Sequence, residues 1–376
     1  YMINKGNYIT ADCYADHFSS SYCFFKDNKT YNGKAGEEQV RKRTRNHNLS
    51  IKGIFKLGNR HKLSVGTEYI VDVLKSQTDN IAKEDAYTLA LFAQDEIKLL
   101  RNLQALIGVR YIYHENFKNH ATPNVALMYK PGKFNFRASY AAGFRTPTLS
   151  ELYATDIAKK NDRLTIGNLD LKPEKNNYFS LSAEYVHERF SVSVNAFYNN
   201  IRDMIDYNTI ATGDKAMEQY GHKEVRQRDN IAEAKVHGIN VSANAYLGAG
   251  FNLSGGYTHL NTQDVELEQP IDKSIKNAYN INAQWAHSWK IYRLNINLNG
   301  RFNSKRFSKS YGYAPEYQLW DLNTRHSFNL KSVIIEPGCG MENLFDYMDD
   351  RPYNSNYATL TPGRSFYISL SLKFKS

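Results

Sequence analysis

Between Tyr140 and Glu174 the chain reads YAAGFRTPTLSELYATDIAKKNDRLTIGNLDLKPE, and the residues in it that could do chemistry stand near its two ends. Arg145 and Glu151 have the types and spacing for a charged hydrogen bond that would hold a long loop against the rim of a sheet. Exposed in water, the same pair would contribute little. Pro147 fixes the backbone beside them. At the far end Asn168 can bond locally in a turn, Glu174 offers a carboxylate of the same loop-ordering kind, and Pro173 stops a helix or central strand from running on. Elsewhere the imidazoles of His120, His222 and His259 could ligate iron, although a solvated histidine is the plainer reading of each. Tyr207, Tyr220, Tyr311, Tyr313, Tyr353 and Tyr357 suit a flat, partly apolar ligand or, equally, an aromatic girdle. No GxSxG, HExxH or P-loop occurs and no Cys/His spacing fits a metal site, so neither catalysis nor a cofactor is expected.

The elements that must position these residues are strands. Tyr292, Leu294, Ile296 and Leu298 alternate with Arg293, Asn295, Asn297 and Asn299, and Phe366, Ile368, Leu370, Leu372 and Phe374 alternate with Tyr367, Ser369, Ser371 and Lys373. Phe190–Ala196 and Leu103–Tyr111 repeat the pattern. A period of two puts one apolar and one polar face on each strand. The stretch from Tyr140 to Glu174 has no such period and holds Gly143, Pro147, Gly167 and Pro173, so it is a long excursion out of a sheet, of a length that is usually functional or disordered.

Connection lengths separate a soluble sandwich from a membrane barrel. Short links are expected near 58–59, 101–102, 131–132, 187–188, 248–250, 288–290 and 329–331. Between them fall longer polar links at 18–45, 76–85, 117–122, 144–175, 207–230, 264–274, 304–315 and 346–363. Tight turns at one end and long loops at the other mark an up-and-down membrane barrel, and a Greek-key sandwich has no reason to alternate in this way. The class read from the pattern is therefore all-β: an antiparallel up-and-down transmembrane β-barrel with about 16 strands in this chain, the first over Asn7–Phe18.

Composition agrees. No apolar run is long enough for a membrane helix, yet 28 Tyr, 19 Phe and 3 Trp supply rings for lipid–water interfaces, as they would also in a Tyr-rich soluble β-protein. Net charge is +10, with one dense basic cluster at Arg41, Lys42, Arg43 and Arg45. No nucleic-acid motif accompanies it, so it reads as a solvated face or as a site for phosphates of an outer-leaflet lipid, and no nucleic acid is expected as partner. Cys13 and Cys23 are close enough in sequence to pair in an oxidising compartment, or to remain thiols.

Several phrases resemble TonB-dependent outer-membrane receptors. GFRTPTLSELY at 143–153 is similar to the family's FRAP-type box and GNLDLKPEKN at 167–176 to its second, NPxL–KPE box. FAQDE at 92–96, GVRYIYH at 108–114, MENLFD at 341–346 and the aromatic final strand after Pro362-Gly363-Arg364 fall in the family's order. Leu169 stands where the family usually has Pro, Thr146 where it has Ala, and Lys375 and Ser376 follow the terminal aromatic Phe374. The resemblance implies a 22-stranded barrel, of which 1–376 would be the C-terminal portion, with a plug domain and the first strands outside this chain. A complete 16-stranded passive porin is the alternative. It further implies energised uptake of a scarce nutrient chelate (an iron siderophore, haem or cobalamin) across the Gram-negative outer membrane. The implied partners are the TonB complex through a plug segment, outer-membrane lipid and lipopolysaccharide, and a surface lipoprotein. Phe144, Arg145, Pro147, Glu151 and Tyr153 in the first box, Asn168, Leu171 and Glu174 in the second, and His222, Tyr220, Tyr311 and Tyr313 are the expected ligand-binding or loop-ordering residues. Haem receptors of the family carry a His between the boxes, and residues 148–166 contain none.

Overall fold

The structure is a computed structural model that describes residues 1–4, 6–29, 33–158, 162–308, 312–349 and 361–375. Its strands are β1 (Met2–Asn4), β2 (Asn7–Cys23), β3 (Glu38–Leu57), β4 (His61–Ser76), β5 (Ile81–Leu100), β6 (Leu103–His114), β7 (Lys118–Tyr129) and β8 (Phe134–Arg145). The helix α1 (Leu149–Tyr153) and the short strands β9 (Thr155–Ala158) and β10 (Arg163–Ile166) lie within the excursion. They are followed by β11 (Glu174–Val186), β12 (Phe190–Thr212), α2 (Gly213–Tyr220), β13 (Glu224–Gly248), β14 (Phe251–Asp264), β15 (Asn277–Trp289) and β16 (Tyr292–Asn303). The last are β17 (Arg306–Ser308), β18 (Gly312–Ala314), β19 (Tyr317–Asn329), β20 (Val333–Glu342) and β21 (Ser365–Phe374). Among the described residues sixteen of these strands have ten residues or more, the length needed to cross a bilayer.

The short links fall where the sequence places them, but several strands run further than its apolar pattern does. β2 continues past Phe18 to Cys23, which shortens the expected 18–45 link to 24–37, and β12 and β13 shorten 207–230 to 213–223. Ladder hydrogen bonds need no apolar side chain, so strands can continue in water after their apolar face has ended. Two expected long links are tight turns, 77–80 and 115–117. Asn80 (φ 54°) and Lys118 (φ 59°) supply the left-handed residues that close them.

Two compact units are present: residues 1–127, 139–178 and 200–233, and residues 128–138, 179–199 and 234–376. In the first, β2 through β6 form an antiparallel meander in which each strand pairs with the next. In the second, β13 beyond Ala234 pairs with β14, followed in turn by β15, β16, β19, β20 and β21. Each strand has two unlike faces. Leu49, Ile51, Leu89, Leu91, Ile107 and Val109 in the first unit, and Ile281, Ile368, Leu370 and Leu372 in the second, are apolar and exposed. On the opposite faces Asn48 Nδ2 donates to Glu68 at 2.7 Å, Arg110 pairs with Glu68, and Asn282 Nδ2 donates to Asn297 Oδ1 at 2.6 Å. Rings collect at the ends of the apolar bands. Tyr69, Tyr87 and Tyr113 form a row with centroids 6.0 and 6.1 Å apart, and Trp289 stacks on Tyr292 at 5.5 Å beside a short turn.

The cysteines are free. Cys13 and Cys23 lie ten residues apart on one strand, about 33 Å at the rise of a strand, so the pairing left open by the sequence is excluded by geometry.

An exposed apolar face of this extent needs hydrocarbon. Val109→Arg, at an outward position of β6, is expected to cost about 2–4 kcal/mol in bilayers if it sits at mid-depth, measured by reversible unfolding in lipid vesicles.

Candidate functional site

The excursion from 146 to 173 is a folded body docked on the first unit. Its start is set by a capping box. Thr148, extended at φ −73° and ψ 158°, accepts the Glu151 N–H on its hydroxyl at 3.2 Å, while the Glu151 carboxylate accepts the Thr148 N–H at 2.8 Å. The helix so begun is five residues long, too short to persist alone, and is held by packing. Leu149 and Ala154 bury against Leu74, Ile81 and Ala86 of β4 and β5, while Leu152 buries with Leu171 and Ile205. Tyr153 packs against both clusters. The chain then returns so closely that a side chain on Gly167 would meet the Leu152 carbonyl at 2.5 Å. Gly167 N–H and Asn168 N–H donate to the carbonyls of Ala154 and Glu151, which satisfies acceptors that the helix end leaves open.

Charge closes the body. The Arg145 guanidinium at the end of β8 grips two carboxylates. Nη1 and Nη2 reach Glu151 at 2.8 and 3.2 Å, and Nε and Nη2 reach Glu174 at 2.8 and 2.6 Å. Glu174 Oε1 also accepts the Ile205 N–H of β12 at 2.8 Å. One side chain thus joins both ends of the excursion, its helix and a neighbouring strand. The two carboxylates are only 13% and 15% exposed, so this is not a pair left in bulk water. Burial acts against the charged form of Glu151, but the Arg145 guanidinium and the Thr148 N–H outweigh it and hold the carboxyl below its usual range. The two acids in turn stabilise the charge of Arg145.

Three residues that no sequence pattern singled out complete the docking. Asp79, in the β4–β5 turn, accepts the Ser150 hydroxyl at 3.2 Å and, on its backbone carbonyl, the Thr155 N–H at 2.8 Å. Asn230 of β13 exchanges hydrogen bonds with the Lys172 backbone at 2.7 and 2.9 Å and donates to the Asp203 carbonyl. Ile205 is the third. These contacts span 27 to 71 residues of sequence, so no local pattern announces them.

A second assembly lies beside the first in the same unit. β10 pairs antiparallel with β9 and parallel with Glu224–Gln227 of β13. Leu164, Ala211, Ala216 and Val225 form its core, with Tyr220 packed against it. His222 Nδ1 lies 2.8 Å from Asp162 Oδ1, and its neighbour Lys223 donates its N–H to the Asp162 carbonyl.

Of the residues singled out from sequence, Arg145, Pro147, Glu151, Tyr153, Asn168, Leu171 and Glu174 belong to the first body, and Phe144 stacks on His120 at 4.5 Å beside it. Asn168 Oδ1 accepts the Asp170 N–H at 2.9 Å in the local turn. Tyr220 and His222 belong to the second assembly. Tyr313 lies in the other compact unit, on β18, exposed and 5.3 Å from the Phe307 ring, and Tyr311 lies outside the described residues. His259 bonds Asn277 at 2.8 Å. Among the described residues no group of three His, Cys, Asp or Glu is placed to hold a metal ion.

A sequence profile of the family described as TonB dependent receptor-like, beta-barrel matches residues 4–344. The chain belongs to that family. The match decides between a receptor barrel and the porin alternative, and it places the chain in the outer membrane of a Gram-negative bacterium. Among solved structures, a variant of the ferric enterobactin receptor PfeA of Pseudomonas aeruginosa superposes with TM-score 0.78 at 18% identity, over 98% of this chain and 59% of that one. The siderophore receptor PirA of Acinetobacter baumannii gives 0.71 at 16%, over 99% and 63%. The FrpB iron transporter of Neisseria meningitidis gives 0.72 at 14%, over 97% and 59%. Identities this low carry the fold alone. The chain spans about three-fifths of the length of each of these structures.

Removing the guanidinium leaves two largely buried carboxylates facing each other. Arg145→Ala is expected to lower the stability of the docked body by about 1–3 kcal/mol, with Arg145→Lys intermediate because an ammonium cannot form both forks. Faster hydrogen exchange at the Leu152, Gly167 and Asn168 amides, with the strand amides unchanged, is the readout. The pH dependence has a definite sign. A carboxyl whose folded value is depressed adds stability above its unfolded value, 4.5 for Glu151, and loses it as the pH falls below that through the folded value. Protection of these amides should therefore decline below pH 4.5, and Glu151→Gln should flatten that decline.

Proposed function

We propose that this chain is the C-terminal part of the barrel of a receptor that captures a ferric siderophore at the cell surface. On this reading a plug domain carried elsewhere on the protein couples the receptor to the TonB complex for energised uptake. The observation that carries the reading is the family match over residues 4–344; the likeness in fold to receptors named for siderophores supports the ligand class. A ferric siderophore brings its own iron ligands, so a receptor needs aromatic and cationic surface rather than a metal site.

Such a surface lies next to the clamped body. The Arg228 guanidinium sits 3.6 Å over the Tyr207 ring and its Nη2 donates to the Tyr207 hydroxyl at 2.6 Å. Tyr207 is two residues beyond Ile205 and so shares the strand face on which the excursion docks. In this proposal Arg145, Glu151 and Glu174 order the outer loop, and Tyr207 and Arg228 meet the chelate. Haem and cobalamin are the competing ligands.

Titration of the whole receptor with ferric catecholate and ferric hydroxamate chelates, haem and cobalamin tests the reading. Saturable binding of a ferric chelate is expected, with Arg228→Ala about ten-fold weaker from loss of the cation–π face and uptake abolished when the proton gradient is collapsed. Binding confined to haem or cobalamin would overturn the ligand class. Uptake indifferent to the gradient would overturn the energised mechanism.

A further inference from the structure

The turn that joins β6 to β7 is gripped from both sides by imidazoles. His114, the last residue of β6, is only 7% exposed. Its Nδ1 accepts the Asn116 N–H at 3.1 Å across the turn, and its ring lies 5.1 Å from that of Phe117. On the other side, His120 of β7 donates from Nε2 to the Phe117 carbonyl at 3.0 Å and stacks on Phe144 at 4.5 Å. Phe117 is the apolar member of the turn. Its side chain packs with Tyr153 against the cluster of Leu152, Leu171 and Ile205. The docked body therefore rests on this turn, and the two imidazoles hold the turn in place.

The partners fix the proton on each ring. A backbone N–H only donates, so His114 Nδ1 carries a lone pair and the ring is neutral. A carbonyl only accepts, so His120 Nε2 carries a hydrogen in either charge state. Protonation consequently has unlike effects on the two. A charged His120 keeps its bond. A charged His114 sets an N–H against the Asn116 N–H at a buried site, leaving two donors unpaired. The charged and titratable groups facing His114 are Asp72 of β4, Glu115 of the turn and His120. The Tyr153 phenol of α1 faces Glu84 of β5 and the same Glu115. Both carboxylates near His114 are already engaged, Asp72 by Asn46 Nδ2 at 2.7 Å and Glu115 by the Tyr87 N–H at 3.2 Å. Among the described residues neither bonds the imidazole. A charged His114 is thus satisfied only by turning out of its place, which breaks the Asn116 bond and frees Phe117.

We propose that His114 is an acid-sensitive latch: its neutral ring locks the 115–117 turn under the outer loop, and its protonation releases the turn and loosens the docked body. An unperturbed imidazole changes charge between about pH 5 and 8, above the range in which the Arg145–Glu151 contact is lost. Linkage fixes the sign. The closed state binds one proton fewer at His114 than the open one. Its stability is full above the value of a free imidazole, about 6.5, and falls as the pH drops below it. The latch does not depend on which ligand the receptor carries.

Hydrogen exchange of the whole receptor in lipid nanodiscs, corrected for the intrinsic pH dependence of amide exchange, is compared at pH 7.5 and 5.0. Protection of the Asn116, Leu152, Gly167 and Asn168 amides is expected to fall about ten-fold over that range, one unit of linked proton affinity, with the strand amides of β4 and β5 unchanged. In His114→Asn an amide oxygen that does not titrate stands in for Nδ1, and the decline is expected to vanish. His120→Gln is expected to retain it. Equal protection at the two pH values in the unsubstituted protein overturns the proposal, as does a decline that survives in His114→Asn or is lost in His120→Gln. Should His114→Asn not fold, NMR of the histidine-labelled unsubstituted protein decides. A loss of protection whose midpoint matches the titration of His114 supports the latch, and a midpoint that departs from it overturns it.

Discussion

Hydrocarbon accepts no hydrogen bonds, and the rest of this structure follows from that constraint. Every backbone N–H and C=O inside the bilayer has to find its partner within the protein. The antiparallel ladders from β2 to β6 and from β13 to β21 supply those partners continuously. Once the backbone is satisfied, side chains with a period of two do separate tasks on the two faces. Leu89, Leu91, Ile107 and Val109 meet acyl chains, while the Asn48–Glu68–Arg110 and Asn282–Asn297 contacts tie neighbouring strands together on the other face. Such contacts would be costly in lipid and are cheap where water can reach.

Outside the bilayer that constraint lapses, and a different one governs the excursion from 146 to 173. A segment without a ladder must satisfy its own polar backbone and pay its own ordering entropy. It does so with local capping at Thr148 and Glu151, return hydrogen bonds from Gly167 and Asn168, and two small apolar clusters. None of these fixes both ends of the segment at once. Arg145 does, because a planar guanidinium can engage two carboxylates in parallel forks, and the two it engages come from the helix and from the start of β11. The loop closure is thereby made by a single residue at the mouth of the segment.

What could be read from the sequence divides along the same line. The membrane-crossing strands and their short turns were legible because lipid imposes the two-residue period and Gly, Pro and Asn punctuate it. The water-side ends of β2, β3, β12 and β13 were not, since Ser19–Cys23 or Arg41–Arg45 can pair as strands with no apolar face to announce it. In the excursion, Arg145 with Glu151 was readable from six residues of spacing. Glu174 as second partner of Arg145, Asp79 under the helix and Asn230 behind Lys172 were not readable, because each contact joins segments whose proximity exists only in the folded sheet.

The extended strands have a consequence for how the outer loops behave. β13 begins ten residues before the unit boundary at Ala234, and its first residues, Glu224–Gln227, serve as a parallel partner for β10. Unpaired strand backbone in water invites further pairing, and here the excursion itself provides the partner. The 213–223 link is drawn into the same body through Asp162, which bonds His222 and accepts the Lys223 N–H. These two insertions are thus fastened to each other as well as to the rim. Moving one without the other would break a parallel ladder, a carboxylate–imidazole contact and the Asn230 bridge together. Cooperative units of this kind open as one, so these two insertions are expected to open together.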